Sequence, residues 1–147
     1  MIALRPATPA DAAAIADLTA ELGYSHDVTA TCHRLEQLLP AAHELVLVAE
    51  EAGVVIGWLH AHASIALESG FRAEIVGLVV SAKHRRSGAG RALVRAAEEW
   101  AAARGAPVVV VRSNILREES HRFYLSLGFT HAKTQAVYRK PGTVPAA

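Results

Sequence analysis

Apolar residues recur at two different periods along this chain, and the switches between them mark out its elements. "IALRPA" (2–7) alternates apolar and polar positions, the period of a half-buried strand. "TPAD" (8–11) then opens a helix, with Thr8 as N-cap, Pro9 at the first helical position and Asp11 able to reach back to the cap. Ile15, Leu18 and Leu22 follow at helical spacing until Gly23. A second helix is expected within 26–39, carrying Cys32, Leu35, Leu38 and Leu39 and stopped by Pro40. "ELVLVAE" (44–50) and "VVIGWLHAHA" (54–63), joined by "EAG", read as an antiparallel pair. "SIALESG" (64–70) reads as a loop or short edge segment. "RAEIVGLVV" (72–80) is a long apolar strand interrupted by Glu74, and strict alternation places Glu74, Val76, Leu78 and Val80 on one face.

In the second half, Ala89, Ala92, Leu93, Ala96, Ala97, Trp100 and Ala101 repeat at three- and four-residue spacing, one face of a helix closed by Arg104 and Gly105. "PVVVVRS" (107–113) is a continuous β-branched run and reads as a buried central strand. A last helix is expected over 117–127, with Gly128 as its C-cap, followed by two strands in "FTHAKT" and "QAVYRK". The pattern predicts an α/β (α+β) fold: one domain over 1–140, a mixed, mostly antiparallel sheet of six to seven strands, about four flanking helices, and a flexible tail over 141–147.

Composition changes this picture little. With 147 residues, 52% hydrophobic and 20% charged, the chain can bury one full core. A net charge of +1 and 5% aromatics argue against a nucleic-acid surface, which needs a broad basic face or interleaved aromatics. Cys32 is the only cysteine, so no intrachain disulfide can form. The N-terminus lacks a signal-peptide pattern, and no apolar run approaches the roughly 20 residues that span a bilayer. A cytoplasmic protein without membrane or nucleic-acid partners is expected.

Local charge is another matter. "KHRRSGAGRAL" (83–93) sets Lys83, Arg85, Arg86 and Arg91 around Gly88 and Gly90, between the apolar strand and the amphipathic helix. It lacks the Gly-Lys-Ser/Thr of a Walker loop, and Leu93 stands where a dinucleotide G-x-G-x-x-G would need glycine. What remains is Arg-x-x-Gly-x-Gly ahead of a helix N-terminus, an arrangement suited to phosphate.

The segment "AEIVGLVVSAKHRRSGAGRALV" resembles the central motif of the GNAT superfamily of acetyl-CoA-dependent N-acetyltransferases. "SHRFYLSLGF" (120–129) resembles the same family's second motif. The resemblance implies a sheet with splayed central strands. It implies that Leu78, Val79 and Val80 line the acetyl and pantetheine arm of acetyl-CoA, and that Arg85, Arg86, Ser87, Gly88, Ala89, Gly90 and Arg91 surround its pyrophosphate. It further implies Tyr124 as the acid that protonates the departing thiolate. Glu74 is then the candidate base, with a histidine or a water chain as alternatives. The family often has an asparagine about seven residues before the motif tyrosine. Arg117 stands there instead, and Asn114, three residues earlier, is the candidate to take over that contact with the coenzyme.

The implied reaction is direct attack of a primary amine on acetyl-CoA in a ternary complex, with a small molecule preferred to a protein as acceptor. A catalytically silent acetyl-CoA-binding module and a protein-amine acetyltransferase are the alternatives, and a homodimer is compatible with either. His60 and His62 on the 54–63 strand and Tyr24 are the candidate acceptor-binding residues; Tyr24 shares with His26, Asp27, His33 and Glu68 the segments 22–43 and 64–72, which shape the acceptor in the resembled family. His60 and His62 share a strand face with Trp58, but no third ligand appears at suggestive spacing, so no metal is expected.

Overall fold

In the computed structural model, which describes residues 1–113 and 117–145, the two sequence periods become two kinds of layer. The strands are β1 (Ile2–Pro6), β2 (Glu44–Glu51), β3 (Val54–Ala66), β4 (Gly70–Val80) and β5 (Val109–Val111). The helices are α1 (Ala12–Ala20), α2 (Val28–Leu38), α3 (Ala89–Ala103) and α4 (Glu118–Ser126). The strands form one sheet in the order β1-β2-β3-β4-β5, antiparallel except for the parallel β4–β5 pair. The chain divides at Arg112/Ser113 into two compact units, the first holding the sheet and α1–α3, the second holding α4.

Elements with a strong local signal form as expected. Thr8 and Asp11 make a reciprocal capping box around a single 3-10 turn at Pro9–Asp11, which leads into α1. Asp11 is buried and receives two 2.8 Å hydrogen bonds from the Arg5 guanidinium and one from the Thr8 amide. α2 starts at Asp27, whose carboxylate accepts from the Ala30 amide at 2.9 Å. In α4, Glu118 and Glu119 occupy the first turn, where the helix dipole favours them, and Gly128 at φ 94° follows the helix.

α3 packs across β2, β3 and β4 on one side of the sheet, burying Leu93, Val94, Ala97 and Ala101. α1 and α2 cover the other side, where Ala7, Ala12, Ile15, Leu35, Val46 and Val48 form a cluster with Trp58, Cys32, Leu38 and Leu39 packed against it.

Four expectations need correction. The sheet has five strands among the described residues, because 129–140 form none. That segment sets Val137 beside Tyr138, on opposite sides of any strand, and residues 131–140 stay exposed, so a pair there would lack an apolar face to bury. "SIALESG", expected as a loop or short edge segment, is a turn only over 67–69. Ser64, Ile65 and Ala66 extend β3 and pair with Arg72, Phe71 and Gly70, because the ladder hydrogen bonds outweigh the exposure of Ile65. "PVVVVRS" yields only a three-residue, half-buried β5 at the sheet edge.

The fourth correction concerns β4. Its register against β3 slips between His60↔Gly77 and Ala61↔Ile75, leaving Val76 as a bulge. Strict alternation therefore fails. Glu74 shares its face with Gly77 and Val79, the residues opposite His60 and Trp58, while Leu78 and Val80 turn to the α3 side.

Candidate active site

The C-terminal half of β4 is open along one edge. β5 pairs only with Ala73, Glu74 and Ile75, so Val76–Val80 have β3 on one side and no ladder partner among the described residues on the other. The resemblance implied a splay at this place, and the three-pair β4–β5 ladder accords with it. Leu78, Val79 and Val80 lie along it, with backbone N–H and C=O groups that an amide-bearing ligand can satisfy.

β4 then runs directly into the basic loop. The Ser81 amide still bonds the Ile56 carbonyl at 2.8 Å, and the Ala82 amide donates to Glu21 at 3.0 Å, fixing the entry. A 3-10 turn over Ala82–His84 follows. Arg86 then adopts a left-handed conformation at φ 67°, and Gly88 caps α3 at φ 90°, so the backbone reverses twice within three residues. The Ala92 amide makes the bond to the Gly88 carbonyl, which leaves the Gly90 and Arg91 amides without intrahelical acceptors. Arg85, Arg86, Ser87 and Gly88 are exposed and Ala89 is buried, so the helix start is anchored while the loop above it stays accessible.

On the sheet face covered by α1 and α2, the strand register assembles a polar cluster beyond Trp58. Glu44, His62 and Glu74 are successive cross-strand partners, and His60 lies opposite Gly77. Glu44 Oε1 is 2.9 Å from His60 Nε2, and Oε2 is 3.7 Å from His62 Nδ1. Glu74 is buried, ion-paired to Arg112 and lying 3.7 Å from Arg72. Its carboxylate is therefore held between two guanidinium groups rather than isolated in an apolar pocket. Trp58 Nε1 and Arg72 Nε are buried without a hydrogen-bond partner among the described residues.

Sequence reasoning named Glu74, His60 and His62 and missed Glu44 and Arg112. The signal for Glu44 was the pairing of β2 with β3, since a strand partner is read only once the register is known. Tyr24 is exposed between α1 and α2, Asp27 is spent on the α2 cap, His26 bonds Asp17 at 2.7 Å, and His33 and Glu68 are exposed. Cys32 bonds Glu36 at 3.3 Å, which pushes its thiol pKa up and makes it a poor nucleophile.

In the second unit, Tyr124 packs edge-on between Phe123 and Phe129, with centroids 5.2 and 5.8 Å away. Burial raises its phenol above the ordinary value of 10, against a smaller opposing effect of the Arg117 cation. Asn114 lies outside the described residues. Among those described, no helix is long and apolar enough to cross a membrane.

Residues 13–129 match the family model described as the acetyltransferase (GNAT) family. The rice protein "Acetyl transferase GW6a" (Oryza sativa subsp. japonica) is 45% identical over 69 residues, 47% of this chain, and the matched stretch spans only 15% of that protein. "Uncharacterized N-acetyltransferase YhdJ" of Bacillus subtilis (strain 168) is 27% identical over 125 residues, covering 84% of this chain and 87% of that one. A crystal structure of aminoglycoside antibiotic 6'-N-acetyltransferase AAC(6')-Ih from Acinetobacter baumannii superposes with a TM-score of 0.84 over 96% of this chain and 99% of the other. At 23% identity this is a likeness of fold.

Proposed function

The chain belongs to the acetyltransferase (GNAT) family, and from that premise we propose that it transfers the acetyl group of acetyl-CoA to a primary amine on a small molecule. The observation that carries this reading is the open edge of β4 at Val76–Val80 leading without interruption into a glycine loop and the N-terminus of α3. An extended thiol-bearing arm fits the first, and a pyrophosphate fits the second.

The acceptor binds on the face that carries Glu44, Glu74, His60 and His62. The Glu44 carboxylate, partly exposed beside His60 and His62, is the group there that attracts an ammonium. The small-molecule class also accords with the aminoglycoside acetyltransferase of like fold. Within a ternary complex the amine nitrogen attacks the thioester carbonyl carbon, the C–S bond breaks, and the coenzyme leaves as a thiol. The amine must first lose a proton. Glu74, which accepts from Arg112, takes that proton through a water. The family resemblance of "SHRFYLSLGF" supports Tyr124 as the acid that gives its proton to the departing sulfur, with solvent restoring it. Holding the two reactants together contributes much of the acceleration.

Isothermal titration of the purified protein with acetyl-CoA, using ATP as a phosphate-bearing control, tests the reading. Tight binding of acetyl-CoA with ATP much weaker is expected, followed by amine-dependent thiol release. A folded protein that ignores acetyl-CoA would overturn it.

A further inference from the structure

We propose that Glu44, His60 and His62 form a binding site for a divalent transition-metal ion of the zinc class. Two imidazoles two residues apart on β3 project from one face, and the register sets Glu44 directly opposite His62. One ligand atom from each of the three residues lies within 4.8 Å of the others. A tetrahedral ion with bonds of about 2.0–2.2 Å holds its ligand atoms roughly 3.3–3.5 Å apart, so modest side-chain rotation closes the site.

The donor set decides the class of ion. Two imidazole nitrogens and one carboxylate suit zinc, cobalt, nickel or copper, whereas magnesium and calcium require oxygen ligands. Three protein ligands leave a fourth position, and all three side chains are only partly buried, so water can occupy it. The ligands stand on two paired strands, which fixes their spacing better than loops would. The contact between Glu44 and His60 shows the carboxylate already turned to the imidazoles. The ion would replace the proton between them. If this face receives the acceptor amine, as proposed above, a bound ion blocks amine entry while leaving the coenzyme cleft on β4 free.

The test is a titration of tag-free, chelator-treated protein with Co2+, followed by the visible absorption of a tetrahedral site, and then with Zn2+ to displace it. One equivalent of cobalt with intense tetrahedral bands is expected. Loss of a partner outside the coordination sphere weakens metal sites by 10–100-fold, so losing a ligand in His62→Ala or Glu44→Gln should weaken binding by roughly a hundredfold or more. The exposed His33→Ala should bind as the parent does. Glu44→Gln is nearly isosteric, so it carries the test if His62→Ala unfolds. Absence of a stoichiometric band in folded protein, or equal binding by the parent and Glu44→Gln, overturns the site. Acetyl-CoA titration of the same sample reports the proposed activity separately, so coenzyme binding without metal binding removes this inference alone.

Discussion

The indole of Trp58 lies against Gly77, so close that a Cβ at position 77 would stand 2.7 Å from two of its ring carbons. The glycine follows the Val76 bulge and lies opposite His60. Its missing side chain lets the ring bridge from the core formed with α1 and α2 to the polar cluster.

Gly77→Ala should therefore displace the indole and cost roughly 1–3 kcal/mol, the usual penalty of overpacking. Denaturant melts of the two proteins measure this. An unchanged midpoint would show that the ring moves aside freely.

Asp11→Asn should destabilise the fold by roughly 1–3 kcal/mol, since a buried fork of bonds from Arg5 loses its charge. The parent carries a pH signature of the same pair. Hydrogen bonding to Arg5, ahead of that from the Thr8 amide, holds Asp11 below the ordinary 3.8. A depressed folded pKa means that the contribution is full above pH 3.8 and is lost as pH falls through the depressed value. Acid melts of the parent should show this loss, and the Asn variant should lack that part of the slope.

Gly90→Glu puts bulk and negative charge beside the first free amides of α3. Acetyl-CoA should bind about tenfold more weakly or worse, equivalent to about 1.4 kcal/mol or more. Parent-like affinity by titration calorimetry would refute the phosphate role of the loop.

Tyr124→Phe and Glu74→Gln should fail in different ways. Loss of the phenol should lower kcat by roughly a hundredfold while acetyl-CoA affinity holds. Because burial raises the phenol above 10, it stays protonated in neutral and mildly alkaline solution, and the parent should show no loss of kcat from its ionisation there. Glu74→Gln removes negative charge from the acceptor face, so KM for the amine should rise as well as kcat fall. Steady-state kinetics that leave both variants like the parent would remove both roles.

Several features needed only the sequence. The capping box of Thr8 and Asp11, the apolar stripe of α3, and the glycine loop after an apolar strand are each written in one continuous stretch of the chain, and the short-range chemistry that forms them is complete there. The strand–loop–helix order around Gly88 was legible because it depends on a glycine turn and a helix start, all local to one loop.

The polar cluster around Glu44 and Glu74 was decided by tertiary structure. Glu44 meets His60 and His62 only through the β2–β3 register, and Arg112 meets Glu74 only because β5 runs parallel to β4. The bulge at Val76 reversed the faces of Leu78 and Val80, since one extra residue shifts a period of two by half. Periodicity tells which residues can share a face. Which strands lie side by side, and at what offset, is settled by the packing of residues far apart in the chain, and that offset determines which charges meet.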